Sequence, residues 1–468
     1  MSALYLSAAH KSCGKTVVAI GITAAAKRRG IEVDTFKKGP DYIDAGWLSA
    51  AAESACTNLD FHTQTDTEII RGFAKGTREG LRLVEGTKGL HDGVDPNGGD
   101  SNAALARLLG LPVVLVLDTR GMTRGIAPLV LGLKGFEPDV DVRGVILNRV
   151  GGERHASKLR RALETYTDVE CLGCIGDDPL LNIDERHLGL TTAAEWSACE
   201  AFIGQLAKRV ESESDVTRML EFSTRAPSVA IPTGEQQSSA GAPVRIGIAK
   251  DQAFSFYYPQ DLEAMERAGA ELVFFDTLHD ATLPLVDALM LGGGFPEAHA
   301  EALSANQSMR QSIAASAVDG LPIYGECGGL MYLARSVSTG AGRYDMCGVL
   351  PIDVRMEAKP VGRGYVRLSE NGRAPWGRIA RDSSATLAAH EFHYSRATGV
   401  GDDVEYAYKV ERGFGVDGDN DGLVVGNVFA SYAHLRHTER TPWVNNFINW
   451  VRNQHHCSNP QEYVRHGT

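Results

Sequence analysis

From about Glu211 to Pro243 the chain loses its hydrophobic periodicity and becomes a run of Ser, Thr, Gln, Pro and Gly, ending in Ile231-Pro-Thr-Gly-Glu-Gln-Gln-Ser-Ser-Ala-Gly-Ala-Pro243. Such a stretch has little apolar surface to bury and favours turns, so it reads as a linker, with room for a short helix before it. It divides the 468 residues into a first domain over 1–210, a linker over 211–243, a second domain over 244–452 and a polar tail over 453–468. Each domain is long enough to bury its own core without disulfide staples.

Both domains read as α/β. In the first, β-rich runs such as Leu81-Arg-Leu-Val-Glu85, Pro112-Val-Val-Leu-Val-Leu-Asp118 and Val142-Arg-Gly-Val-Ile-Leu-Asn148 alternate with helical stretches such as Asn102 to Leu109. That spacing predicts a doubly wound parallel sheet covered on both faces. Val244-Arg-Ile-Gly-Ile-Ala249 restarts the pattern, which continues through Ala288-Leu-Met-Leu291 and Leu321-Pro-Ile-Tyr-Gly325, then a more antiparallel middle, then Gly426 to His434.

The composition narrows the function. A net charge of −12 excludes the basic surface that nucleic-acid binding needs, while leaving room for a local cationic cleft. No apolar run approaches the roughly 18 residues of a membrane span. Met1-Ser-Ala-Leu-Tyr-Leu6 lacks a basic flank and reads as a first strand, not a signal peptide, so a cytoplasmic location is expected. The eight cysteines are irregularly spaced, as in a reducing compartment. Only Cys171-Leu-Gly-Cys174 has a metal or redox spacing, and with no second pair nearby that role is disfavoured.

Leu4-Tyr-Leu-Ser-Ala-Ala-His-Lys-Ser-Cys-Gly-Lys-Thr16 is a strand, a small-residue loop and a helix start. Ser12 and Gly14 allow backbone N–H groups to converge on phosphate oxygens, Lys15 can reach the β- and γ-phosphates, and Thr16 can ligate Mg²⁺. The match to a nucleotide loop is incomplete, because Ala9 stands where glycine is expected; the plain alternative is an ordinary strand-to-helix turn. Asp41 and Asp44, in Thr35-Phe-Lys-Lys-Gly-Pro-Asp-Tyr-Ile-Asp44, and Glu85 and Asp92, in Glu85-Gly-Thr-Lys-Gly-Leu-His-Asp92, follow two further strands. All four carboxylates are expected in one crevice at the carboxyl ends of the strands, where one or two would hold Mg²⁺ with ATP phosphates.

Leu321-Pro-Ile-Tyr-Gly-Glu-Cys327-Gly-Gly-Leu-Met-Tyr-Leu333 is a buried-type strand, then G-x-C-x-G, then an apolar helix. This is a nucleophile elbow with cysteine: glycines permit the turn, the helix N-terminus favours thiolate, and the Gly328 N–H can help form an oxyanion hole. Gly294, in Gly292-Gly-Gly-Phe-Pro-Glu297, can supply a second N–H. His434 is the leading candidate for the base, with His390 and His393 as competitors.

Together these strings, with Leu111 to Asp118, His390-Glu-Phe-His-Tyr-Ser395 and Ser431-Tyr-Ala-His434, resemble the cobyrinate a,c-diamide synthase family in order and over almost the whole chain. The resemblance implies an N-terminal P-loop domain like dethiobiotin synthetase and a C-terminal class I-like glutamine amidotransferase domain. It implies that Cys327 and His434 release ammonia from L-glutamine, and that ATP with Mg²⁺ activates carboxylates of an anionic tetrapyrrole as acyl phosphates. By the same resemblance Lys15 and Thr16 serve the phosphates and Mg²⁺, Asp41 and Glu85 bind metal, Asp44 and Asp92 orient the reacting carboxylate, and Asn148 is an adenine contact, with a strand-end structural role as its alternative.

Three departures from the family pattern matter. The loop reads Lys11-Ser12-Cys13. Lys38, Thr87 and Lys88 stand where small or apolar residues are usual; Lys38 and Lys88 are therefore candidate substrate contacts and point to the sirohaem-amidating branch ahead of cobyrinate. Arg436 stands where class I glutaminases carry a Glu two residues after the histidine, so a Cys–His pair is expected. The competing readings are a P-loop ATPase whose second domain is a non-catalytic binding module, and a cobyric acid synthase-like amidase. A homodimer is compatible with this pattern and not demanded by it.

Overall fold

The computed structural model describes residues 2–75, 80–179, 183, 185–186, 189–196, 198–222, 242–380, 385–401 and 404–458. It divides into two units, one through residue 232 and one from 233.

The first unit is built on seven parallel strands: β1 (Ser2–Ala8), β2 (Val33–Lys38), β3 (Thr57–Leu59), β4 (Leu81–Glu85), β5 (Val113–Asp118), β6 (Val142–Val150) and β7 (Glu170–Gly176). Their order is β3-β2-β4-β1-β5-β6-β7. The chain builds one side of β1 first and the other side afterwards, so the carboxyl end of β1 lies where the strand order reverses, the usual place for a ligand in such a sheet. Both faces are covered. Leu4 and Leu6 pack with Val18, Ile22 and Val114 on one side, while Ala3 and Tyr5 pack with Leu105, Val113 and Leu115 on the other. Strands buried on both faces are apolar at nearly every position, as the sequence of β5 shows.

This unit extends beyond the boundary read from the sequence. The helix Cys199–Glu213 lies so close to helix α1 (Lys15–Arg28) that a Cβ on Gly21 would sit 2.4 Å from Val210 Cγ2. A further helix, Val216–Leu220, buries Val216 and Met219 in the same core, followed by Phe222. Residues 211–222, read as the start of a linker, therefore belong to the first unit; most of the remaining linker, 223–241, lies outside the described residues.

The second unit carries a mixed nine-stranded sheet. Its parallel half runs Ala270–Phe275, Val244–Ala249, Ala288–Leu291, Ile323–Glu326 and Val428–Ser431. Four antiparallel strands extend it: Asn420–Val425, Glu405–Arg412, Gly362–Glu370 and Thr386–His393. The last helix, Trp443–Ser458, continues past residue 452, where a polar tail was expected, and buries Trp443, Phe447, Ile448 and Val451 against the sheet. Among the described residues no helix is long and apolar enough to cross a membrane.

Candidate active sites

In the first unit β1 feeds a loop that ends at Gly14, which caps α1 with φ 85°. A Cβ at Gly14 would lie 2.2 Å from Asn148 Nδ2. That amide donates to the Cys13 carbonyl at 2.9 Å, and Arg149 donates to the Ser12 carbonyl at 2.8 Å and to Asp118 at 2.7 Å. The end of β6 thus braces the loop. Ser12, Gly14, Lys15, Thr16 and Asn148 line a cavity of ≈ 380 Å³, to which Asp177 and Asp178 also contribute.

Lys15 is nearly buried and donates to the Lys88 carbonyl at 2.8 Å. Burial and the neighbouring Lys37 charge lower its pKa. Lys88 holds φ 54°, a left-handed conformation uncommon for a side chain of this kind, and its own side chain is exposed. Asn102 keeps this loop in place: its amide donates to the Thr87 and Gly89 carbonyls, and its oxygen accepts from Thr87 N at 3.0 Å and Tyr5 Oη at 2.9 Å.

Thr16 Oγ1 donates to Glu85 Oε1 at 2.7 Å. Glu85 and Lys37 are register partners on β4 and β2, so their side chains share a face of the sheet. Lys37 Nζ lies 2.6 Å from Asp44 Oδ2 and 3.2 Å from Glu85 Oε1. Helix α2 (Tyr42–Ala52) is capped by Asp41, whose Oδ1 accepts from Asp44 N at 2.9 Å, so both acids sit at a helix N-terminus. Burial pushes Asp41 up to about 7, with the Asp44 charge adding to it. Burial also raises Glu85. For Asp44 burial works the same way, but the Lys37 charge and hydrogen bond outweigh it and hold the carboxyl below its ordinary range. Burial would strip Lys37 of its proton; the carboxylates around it, Asp44 first, reverse that.

Three of the four expected acids therefore converge: Asp41, Asp44 and Glu85. Asp92 is turned into its own loop, where Oδ2 accepts from Gly89 N at 2.9 Å. The cation among the acids is Lys37, which the sequence reading passed over in favour of its neighbour. Lys38 lies on the other face of β2, buried, with Asp100 and Asp60 as the nearest counter-charges. Cys171 Sγ and Cys174 Sγ are 3.9 Å apart on β7, and among the described residues no group of three or more His, Cys, Asp or Glu side chains forms a metal-binding set.

In the second unit Cys327 ends the strand Ile323–Glu326 and precedes the helix Gly328–Leu333. Its φ of 46° with ψ of −95° is strained for a residue with a Cβ, a conformation costing of order 1–3 kcal/mol that persists only where the surroundings impose it. They do: Cys327 N donates to the Ser431 carbonyl at 2.7 Å and Gly329 N to the Gly292 carbonyl at 3.0 Å. A Cβ on Gly329 would lie 2.0 Å from the Leu291 carbonyl oxygen, so only glycine lets the helix approach this strand. Gly328 begins the helix, where N–H groups lack intrahelical partners, and a Cβ on it would lie 3.0 Å from Gly294 N. The two glycines expected to form an oxyanion hole are thus neighbours.

Of the three candidate bases, His434 is the one hydrogen-bonded to Cys327. Its backbone exchanges hydrogen bonds with His390, whose ring stacks on it at 4.8 Å. His390 Nδ1 lies 3.3 Å from Tyr258 Oη. His393 is buried and stacks on Tyr432, and its Nδ1 lies 2.8 Å from the Ser395 carbonyl oxygen. The Cys–His pair has a carboxylate beside it: Glu326 Oε2 lies 3.4 Å from His434 Nδ1. Arg436 is buried over the Tyr258 ring, at 4.8 Å.

The CobB/CobQ-like glutamine amidotransferase domain family matches residues 245–442, and an AAA domain family matches 49–184. A loop for ATP in one unit and a cysteine elbow of amidotransferase type in the other define a glutamine-dependent amidating ligase that uses ATP. A cobyrinate a,c-diamide synthase of Magnetococcus marinus is 42% identical over 446 residues, covering 94% of each chain. Those of Syntrophotalea carbinolica and Methanosarcina acetivorans are 39% and 38% identical, over 96% and 92% of this chain and 99% and 91% of theirs. The chain belongs to the cobyrinate a,c-diamide synthase family.

Proposed function

We propose that this enzyme converts acetate side-chain carboxylates of an anionic tetrapyrrole, the a and c groups by family likeness, into carboxamides. The observation that carries the reading is the presence on one chain of the Cys327–His434 elbow and the Lys15–Thr16–Glu85 phosphate loop. Cys327 attacks the glutamine carboxamide, His434 delivers a proton to the departing ammonia, and water hydrolyses the thioester to glutamate. In the other site the γ-phosphoryl group of ATP passes to the substrate carboxylate, and ammonia displaces phosphate from the acyl phosphate. The activation is needed because a carboxylate is a poor electrophile.

Mg²⁺ suits the first site. Glu85 Oε2 is buried with no hydrogen-bond partner, beside the Thr16 hydroxyl and near Asp41 and Asp44. A hard cation held by one or two carboxylates, a hydroxyl and nucleotide phosphates matches that oxygen set, and it would neutralise phosphate charge during transfer. Lys15 positions the phosphates, while Lys37 supplies a fixed positive charge.

The relatives carry cobyrinate in their names. Lys88 favours sirohaem as the acceptor here, because its exposed side chain adds a cation to the loop that holds Lys15; Lys38, buried among acids, lends no support. Sirohaem, sirohydrochlorin and cobyrinate offered with ATP and glutamine, and read by mass for OH replaced by NH₂, test both levels. Diamidation of sirohaem is the expected result. Rapid diamidation of cobyrinate alone refutes the ranking, and reaction with none of the three refutes the tetrapyrrole reading.

A further inference from the structure

Glutamine hydrolysis needs His434 to present one ring nitrogen to Cys327 and to carry charge while it does so. A histidine in that position is oriented by whatever its other nitrogen donates to. The residue that class I glutaminases use is replaced by Arg436, which is buried against Tyr258, with Asp261 as the nearby counter-charge.

We propose that Glu326, the residue immediately before the nucleophile, completes the triad as a positioning residue: its Oε2 receives His434 Nδ1–H, fixing Nε2 toward Cys327 and stabilising the imidazolium. The strand pairing explains how. Glu326 pairs in parallel with Ser431, three residues before His434. The alternation of side chains along the strand and the turn at Cys327 separate the two adjacent residues, so that acid and thiol approach the imidazole from different sides.

The carboxylate is held for this task. Oε1 accepts from Tyr324 Oη at 2.6 Å and from Leu435 N at 3.0 Å, leaving Oε2 at 3.4 Å from His434 Nδ1. Leu435 adjoins the histidine, so one carboxylate fixes both its backbone and its ring. Each of the two side chains is 4% exposed, so little water screens their attraction. Burial alone would lower the His434 pKa, but the hydrogen bonds its ring makes to Cys327 and Glu326 bring it up to about 10. During turnover the proton moves between Cys327, His434 and the leaving ammonia, while Glu326 stays a hydrogen-bond acceptor.

The proposal rests on the assignment of Cys327 and His434 to glutamine hydrolysis, and its test is glutamate release across pH by the full chain. Glu326→Gln should lower kcat about 100-fold or more with KM within about threefold, and move the alkaline limb of kcat/KM down by about one pH unit or more. Glu326→Asp should recover part of both. Tyr324→Phe removes an anchor and leaves the charge, so it should keep the wild-type alkaline limb. A wild-type limb in Glu326→Gln, or an equal displacement in Tyr324→Phe, overturns the proposal and leaves the glutaminase assignment standing. No glutamate release by the wild type overturns that assignment and this proposal with it.

Discussion

Lys37→Met tests the electrostatics of the first site directly. The ammonium is 1% exposed and stands 2.6 Å from Asp44 and 3.2 Å from Glu85, with Asp41 next to Asp44. Methionine keeps most of the volume and removes the charge, leaving the buried Glu85 and the partly buried Asp41 and Asp44 without their shared cation. Breaking a buried ion pair from one side costs about 3–5 kcal/mol. The loss depends on pH because the acids can take up protons. Without Lys37, Asp41, Asp44 and Glu85 all titrate higher in the folded chain than in the unfolded one, so the folded state binds more protons and stability falls as pH rises through that window. Asp41, moved from 3.8 to about 7, already behaves this way in the wild type. The expected result is a loss of about 3–5 kcal/mol at pH 8, or roughly 1–2 M in urea midpoint for the first transition, and less than half of that at pH 5.5. The assay is urea unfolding of the full chain at the two pH values, followed by the fluorescence of its tryptophans, of which Trp47 and Trp196 report on the first unit. Equal midpoints for variant and wild type at pH 8, or the same loss at both pH values, would refute the reasoning.

Three further substitutions separate the sites. Cys327→Ser should abolish amidation from glutamine and spare amidation from ammonium salts, measured by product mass with each donor; equal loss with both would remove the thiol from the nitrogen-supply step. Lys15→Ala and Glu85→Gln should each lower ATP-dependent amidation by about 100-fold or more while glutamate release continues; a normal rate of amide formation in either variant would place the ATP site elsewhere.

Local features were legible in the chain before any tertiary information. The elbow at Cys327 and the loop ending at Gly14 are each encoded within about a dozen residues, because a strand, a tight turn and a helix start need particular residues in immediate succession. The two-sided sheet followed from the alternation of short β-rich runs with helical stretches, which is likewise written locally along the chain. What the sequence left open depended on which face a side chain takes or on a partner far along the chain. Lys37 and Lys38 are indistinguishable in composition, and only the register of β2 with β4 turns the first toward Glu85 and the second away. Asp92 shares its loop with Glu85 but bends back to cap Gly89. The helix Val216–Leu220 looked like linker because its short sequence shows no periodicity; its membership in the first unit comes from Val216 and Met219 filling a core assembled by distant strands. Glu326 carried no signal of its own beside a cysteine that already explained the motif. Its place at His434 was decided by the pairing of Ile323–Glu326 with Val428–Ser431, a contact between segments a hundred residues apart that exists only once the sheet has formed.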